Sequence, residues 1–143
     1  MDQTRDMVED EAFLAAVEAA TWPGERFGHR EHVWLAWLYL RRHGLEEGSG
    51  RLRVTIQRYA TALGAPGKYH ETLTWAWSVY VDHALRGPPR CETFPAFLGA
   101  HPELLDGKLL ARHYLRETLD GPEARRERVA PDLAPLPGAP AAS

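Results

Sequence analysis

Three histidines form the pattern in this chain that most strongly suggests chemistry. His29 and His32 stand three residues apart in the segment FGHREH at 27–32, and His70 stands in KYHET at 68–72. Residues at i and i+3 share one face of a helix, so the first two rings can approach the same ion. Neutral imidazole binds zinc, nickel, iron and copper in proteins. The sequence therefore predicts a divalent-metal site, with zinc as the first choice, formed by His29, His32 and His70.

Three protein ligands and one open position are typical of a catalytic rather than a structural metal site. The predicted chemistry is hydrolysis, elimination or another proton transfer on a small molecule, as in a hydrolase or lyase. The candidates for the acid, the base or a further ligand are Glu71, Glu31 and His113. Each has a simpler explanation, because the helix dipole favours glutamates in a first turn and a histidine often only packs or caps.

Four further residues are predicted to hold the substrate. Lys68 is one of two lysines beside fifteen arginines, which indicates more than a need for positive charge. Tyr69 adjoins His70, and Thr74 lies one turn after it, on the same helix face. Trp37 represents the tryptophans of the two histidine-bearing helices, which predict an aromatic pocket for a small organic molecule.

Two other functions explain the same residues. In the first, the histidines are a metal-free acid/base cluster or ligand site in an aromatic-lined pocket. In the second, the histidines are structural and the chain is a protein-interaction module, with its Pro-rich end and apolar faces serving a partner. The sequence leaves both open.

The elements that must position these residues are helices, since no sustained period-2 alternation or hairpin turn occurs. We expect an all-α, single-domain helical bundle at 1–130, followed by a Pro-rich tail at 131–143 that is partly docked or disordered. The apolar spacing predicts long helices over 6–21, 29–43, 50–63 and 69–85, with Gly44 ending the second. Shorter helices are expected over 93–99, 102–105, 107–115 and 122–129.

Two of these helices are expected to be buried. The segment 33–40 is apolar almost all round, and 73–81 carries Trp75 and Trp77 among aliphatic residues. A helix that is hydrophobic on every side belongs in a protein core. The two core helices should therefore bring the histidines at their starts to the same end of the bundle.

Composition limits the partners. The formal charge is -3 and the sequence pI is about 6.2, which argues against nucleic-acid binding. No apolar run approaches the roughly 18 residues of a membrane span, and the acidic start lacks the pattern of a signal peptide. Cys91 is the single cysteine, so no disulfide framework exists. We expect a cytoplasmic protein with a small-molecule ligand and no membrane or nucleic-acid partner; a homodimer stays open.

The motifs F-x-H-x-E-H at 27–32 and K-Y-H-E-T at 68–72, with the Pro-rich segment after 130, resemble those of a family of small uncharacterised bacterial helical proteins. The resemblance covers most of the chain after Gly24. It implies that the histidine segments and the Pro-rich end belong to one unit, and it implies no reaction. In architecture alone the chain is also similar to DinB-type helical bundles, in which three histidines hold a divalent ion.

Overall fold

Helices account for all the regular secondary structure of residues 3–138, which are the part of the chain that the computed structural model describes. No strand occurs within this range, so the predicted all-α class is confirmed. The six α-helices are α1 (Gln3–Glu18), α2 (His29–Ala62), α3 (Glu71–Arg86), α4 (Phe94–Ala100), α5 (Arg116–Asp120) and α6 (Pro122–Arg126). Four short 3-10 turns lie between them, at Gly24–Arg26, Pro66–Lys68, Pro102–Leu105 and Leu109–Arg112.

The long helix α2 is broken at Gly44 into a first arm (29–43) and a second arm (45–62). Gly44 has φ 82° and ψ 178°, a backbone conformation that glycine adopts readily and other residues rarely adopt. The chain turns back there. The two arms come so close together that a Cβ on Gly48 would lie 2.9 Å from the Leu40 Cα. The Tyr39 hydroxyl also lies 2.7 Å from the Thr55 hydroxyl, sixteen residues further on. The predicted end of the helix at Gly44 is therefore confirmed. Residues 45–49, which were expected to form a connection, are helical.

The core lies where α3 and α4 pack against α2. Residues 35–40 of the first arm are all buried, and Trp37 contacts the rings of Phe94 and Phe97 from α4. On α3, Ala76 and Val81 are inaccessible to solvent. The two helices expected to be central are thus the first arm of α2 and α3. No helix of residues 3–138 is both long and apolar enough to cross a membrane.

The segment after α6 runs back across the bundle, and we call residues 127–138 the strap. The Thr72 hydroxyl on α3 donates to the Glu127 carbonyl at 2.8 Å and accepts from the Val129 amide at 3.2 Å. The Tyr114 hydroxyl donates to the Val129 carbonyl at 2.8 Å. These bonds fix the first part of the strap beside the start of α3.

The second part of the strap is held by His113. The Leu133 amide donates to the His113 carbonyl at 2.9 Å, and His113 Nδ1 lies 2.9 Å from the Ala134 carbonyl. Leu136 is buried in the core. Of the Pro-rich tail expected at 131–143, residues 131–138 therefore lie against the bundle, and 139–143 fall outside the described residues.

Candidate functional site

A cavity of about 700 Å³ opens where three helix ends meet. The start of the first arm of α2, the end of the second arm and the start of α3 form its walls, and the connections before α2 and α3 close it. The lining includes His29, His32 and His70, three histidines from two separate parts of the sequence. Cavities of this volume are typical of sites for small organic molecules.

His29 is the first residue of α2 and its ring is fixed on both sides. Its Nε2 lies 2.9 Å from the Leu104 carbonyl oxygen, and its ring centroid is 4.4 Å from that of Trp77. A carbonyl oxygen only accepts, so Nε2 of the neutral ring carries the proton. The Nδ1 of His29 is then a lone-pair acceptor.

His32 follows one turn later, with its ring centroid 6.5 Å from that of His29. Burial, followed by the nearby His29 as the smaller cause, lowers the pKa of His32 from its ordinary value to about 4. The ring is therefore uncharged at neutral pH. Within residues 3–138 its Nε2 is buried and has no hydrogen-bond partner.

His70 is the N-cap of α3, so the helix begins at Glu71, two residues after the predicted start. Its Nδ1 accepts a hydrogen bond of 3.1 Å from the Leu73 amide. Its Nε2 lies 2.8 Å from the Leu119 carbonyl oxygen, to which it donates. Both ring nitrogens are thus committed to the backbone, and neither offers a lone pair to an ion.

The predicted metal centre needs three ligands that converge. Among residues 3–138, no group of three or more His, Cys, Asp or Glu side chains is arranged to hold a metal ion. The hydrogen bonds of His70 give a physical reason, since this ring would have to leave the Leu73 amide or the Leu119 carbonyl. The divalent-ion site of His29, His32 and His70 remains a prediction.

Three of the four residues expected to hold a substrate line the cavity, namely Lys68, Tyr69 and Thr74. The Tyr69 hydroxyl donates to the Glu71 carboxylate, and burial, followed by this bond, raises the pKa of Tyr69 above its ordinary range. The Thr74 hydroxyl donates to the His70 carbonyl at 2.8 Å. Lys68 is exposed at the rim.

The two candidate carboxylates lie outside the cavity lining. Glu31 accepts a 2.9 Å hydrogen bond from the Gly28 amide and so closes the start of α2. Glu71 is buried between the Tyr69 hydroxyl and the Arg128 guanidinium, which is 3.6 Å away. Glu31 therefore acts as a helix cap, and Glu71 forms an ion pair that joins α3 to the strap.

His113 and Trp37 are also placed elsewhere. The Nε2 of His113 contacts the Tyr80 hydroxyl and its Nδ1 the Ala134 carbonyl, so this ring holds the strap rather than returning to the cavity. Trp37 is fully buried behind α4, because its position on the first arm faces the core.

The sequence predicts an aromatic pocket lined by the tryptophans of the two histidine-bearing helices, and of these Trp77 lines the cavity; it did not point to two further aromatic lining residues, Phe27 and Tyr59. Trp77 follows His70 by seven residues, two helical turns, which is a signal for a shared face. Tyr59 comes from the second arm of α2, and only the reversal at Gly44 brings it opposite His29.

Comparison with protein-family models, with curated proteins and with solved structures gave no match. The resemblance based on the motifs at 27–32 and 68–72 therefore stays a prediction.

Proposed function

We propose that the chain binds a small, uncharged organic molecule in the cavity between the arms of α2 and the start of α3. The observation that carries this proposal is the wall of the cavity, where three histidines and four aromatic side chains surround one space of about 700 Å³. An apolar, aromatic lining with a few polar groups is the usual composition of a small-molecule site. The aromatic side chains are Phe27, Tyr59, Tyr69 and Trp77.

The charge of the wall favours an uncharged ligand. His32 is neutral because burial lowers its pKa to about 4. Among the described lining residues, the carboxylate and ammonium groups are those of Glu25 and Lys68, one of each sign, and both residues are exposed at the rim. A ligand with a full charge in the interior would lose its hydration without gaining an opposite charge.

Binding is better supported than catalysis by proton transfer. A general base works best when its pKa is near the working pH. His32, with a pKa of about 4, is a weak base, and at pH 7 only about one ring in a thousand is protonated and able to act as an acid. The metal-dependent enzyme predicted from the sequence has weaker support as well, because both nitrogens of His70 already make hydrogen bonds.

The protein-interaction module has no specific support in the site. The strap, which in this alternative serves a partner together with exposed apolar faces, is bound by its own bundle through Thr72, Tyr114 and His113. Of the two leucines of the strap, Leu136 is buried in the core and Leu133 is exposed.

The proposal can be tested by filling the cavity. Ala60 lines it from the second arm, whereas Ala62, on the same helix, is exposed and outside the lining. We would screen a library of small aromatic molecules by two-dimensional NMR against the wild type, Ala60→Trp and Ala62→Trp. Compounds should shift the amide signals of the lining residues in the wild type and Ala62→Trp, and lose affinity in Ala60→Trp. Absence of any such compound, or equal binding by Ala60→Trp, would refute the proposal.

A further inference from the structure

We infer that the molecule held in this cavity is a hydrogen-bond donor, carrying an N–H or O–H group that faces the wall. This inference rests on the proposed function, because it identifies the class of ligand for the same site. It follows from where each polar side chain of the lining directs its own proton.

The hydroxyl groups of the lining all donate to the protein itself. The Tyr59 hydroxyl donates to the Trp22 carbonyl at 2.6 Å, and the Thr74 hydroxyl donates to the His70 carbonyl at 2.8 Å. The Tyr69 hydroxyl donates to the Glu71 carboxylate. A hydroxyl has one proton and two lone pairs, so these three groups keep only their acceptor capacity for a ligand.

Two of the three imidazoles are committed in the same way. The Nε2 protons of His29 and His70 go to the carbonyls of Leu104 and Leu119. The second nitrogen of His70 accepts from the Leu73 amide, whereas Nδ1 of His29 keeps its lone pair. Of these two imidazoles, His29 is therefore the one that keeps an acceptor nitrogen for a ligand.

His32 and Lys68 supply the side-chain protons that remain in the described lining. Neutral His32 has a single N–H and a single lone pair, and the ammonium of Lys68 is at the exposed rim. Side-chain acceptor sites thus outnumber side-chain donors in the interior. A ligand that only accepts hydrogen bonds would displace water from these lone pairs and leave most of them without a hydrogen-bond partner, which costs binding free energy.

Indole and benzofuran are a matched pair of probes for this inference. The two bicyclic molecules are uncharged and nearly equal in shape, but indole donates through its N–H and benzofuran has only a weak ring-oxygen acceptor. We would measure the Kd of each by NMR titration, following the amide signals of the cavity lining. We expect indole to bind about tenfold more tightly, the effect of one hydrogen bond.

A His29→Phe variant tests the assigned acceptor, and His43→Phe is its control at the far end of the first arm. The preference for indole should shrink toward unity in His29→Phe and persist in His43→Phe. The wild-type comparison stands alone if His29→Phe does not fold. Equal or tighter binding of benzofuran to the wild-type cavity overturns this inference and leaves the proposed function intact. If neither probe binds, and no aromatic compound of the screen above binds, both this inference and the proposed function are overturned.

Discussion

The imidazole of His70 joins the start of α3 to the carbonyl of Leu119, which lies 49 residues further along the chain, through a hydrogen bond of 2.8 Å. The same ring caps α3 by accepting from the Leu73 amide. One side chain therefore caps the start of α3, anchors the short helix α5 through Leu119 and forms part of the cavity wall. This double bonding identifies His70 first as a structural residue.

The two bonds of His70 can be separated by substitution. Asparagine is a good N-cap but is too short to reach Leu119, whereas alanine makes neither bond. We expect His70→Ala to lower the free energy of unfolding by about 3 kcal/mol and His70→Asn by about 1 kcal/mol. Urea denaturation followed by circular dichroism measures both. Equal losses in the two variants would show that the cap contributes nothing.

We expect the free energy of unfolding to decrease as the pH is lowered, because of His32. Its pKa is about 4 in the folded chain and about 6.5 when unfolded, so the unfolded state binds more protons between these values. The free energy of unfolding is therefore fully retained above pH 6.5 and declines as the pH falls toward 4. The lowered pKa corresponds to a loss of about 3 kcal/mol across this window.

Variants identify the group responsible for this slope. His32→Leu should flatten the dependence between pH 6.5 and pH 4, measured by urea denaturation at closely spaced pH values. His83→Leu removes an exposed histidine of α3 and should leave the slope unchanged. A slope that survives in His32→Leu would mean that another group carries the titration.

Thr72 connects α3 to the strap through two hydrogen bonds of one fully buried hydroxyl. Valine has nearly the same shape, so Thr72→Val removes these bonds without opening a cavity. We expect it to cost about 2 kcal/mol, because the Val129 amide and the Glu127 carbonyl lose their partner in a buried place. Amide hydrogen exchange should also accelerate at residues 127–138. Thr61→Val, at an exposed site, should change neither quantity.

Metal content gives a direct test of the site predicted from the sequence. We expect protein prepared without an affinity tag and dialysed against a chelator to bind zinc without a tight one-to-one site in calorimetry. The reason is that His70 would have to give up a backbone hydrogen bond to become a ligand. One equivalent of tightly bound zinc that is lost in His70→Asn would instead support the three-histidine centre.

Much of the fold was predictable because the signals for it are local. The apolar segment 33–40 and the glycine at 44 predict a buried helix and its end, and both are present. The stretch 107–115 was expected to be a helix, but the structure has only a 3-10 turn at Leu109–Arg112, after which His113 and Tyr114 turn to the strap. Tertiary hydrogen bonds there outweigh a weak helical pattern.

The candidate site was also predictable only in part. Each of its three histidines stands at a helix start, a position that sequence periodicity can locate. The partners of His29 and His70 are the backbone carbonyls of Leu104 in a 3-10 turn and of Leu119 in α5, and no periodicity marks such atoms. The contribution of Tyr59 depends on the direction in which the chain leaves Gly44, which is set by packing between the two arms rather than by the glycine alone.

The way the strap is built into the bundle restricts the order in which the molecule can form. Leu136 occupies the interior, and the backbone of 127–129 completes the hydrogen bonding of a threonine near the middle of the sequence. A nascent chain that has released α1 to α4 from the ribosome still lacks these partners. The contacts that the strap makes with α3 can therefore form only after residues 127–136 have left the exit tunnel, so this flank of α3 is the last to be covered.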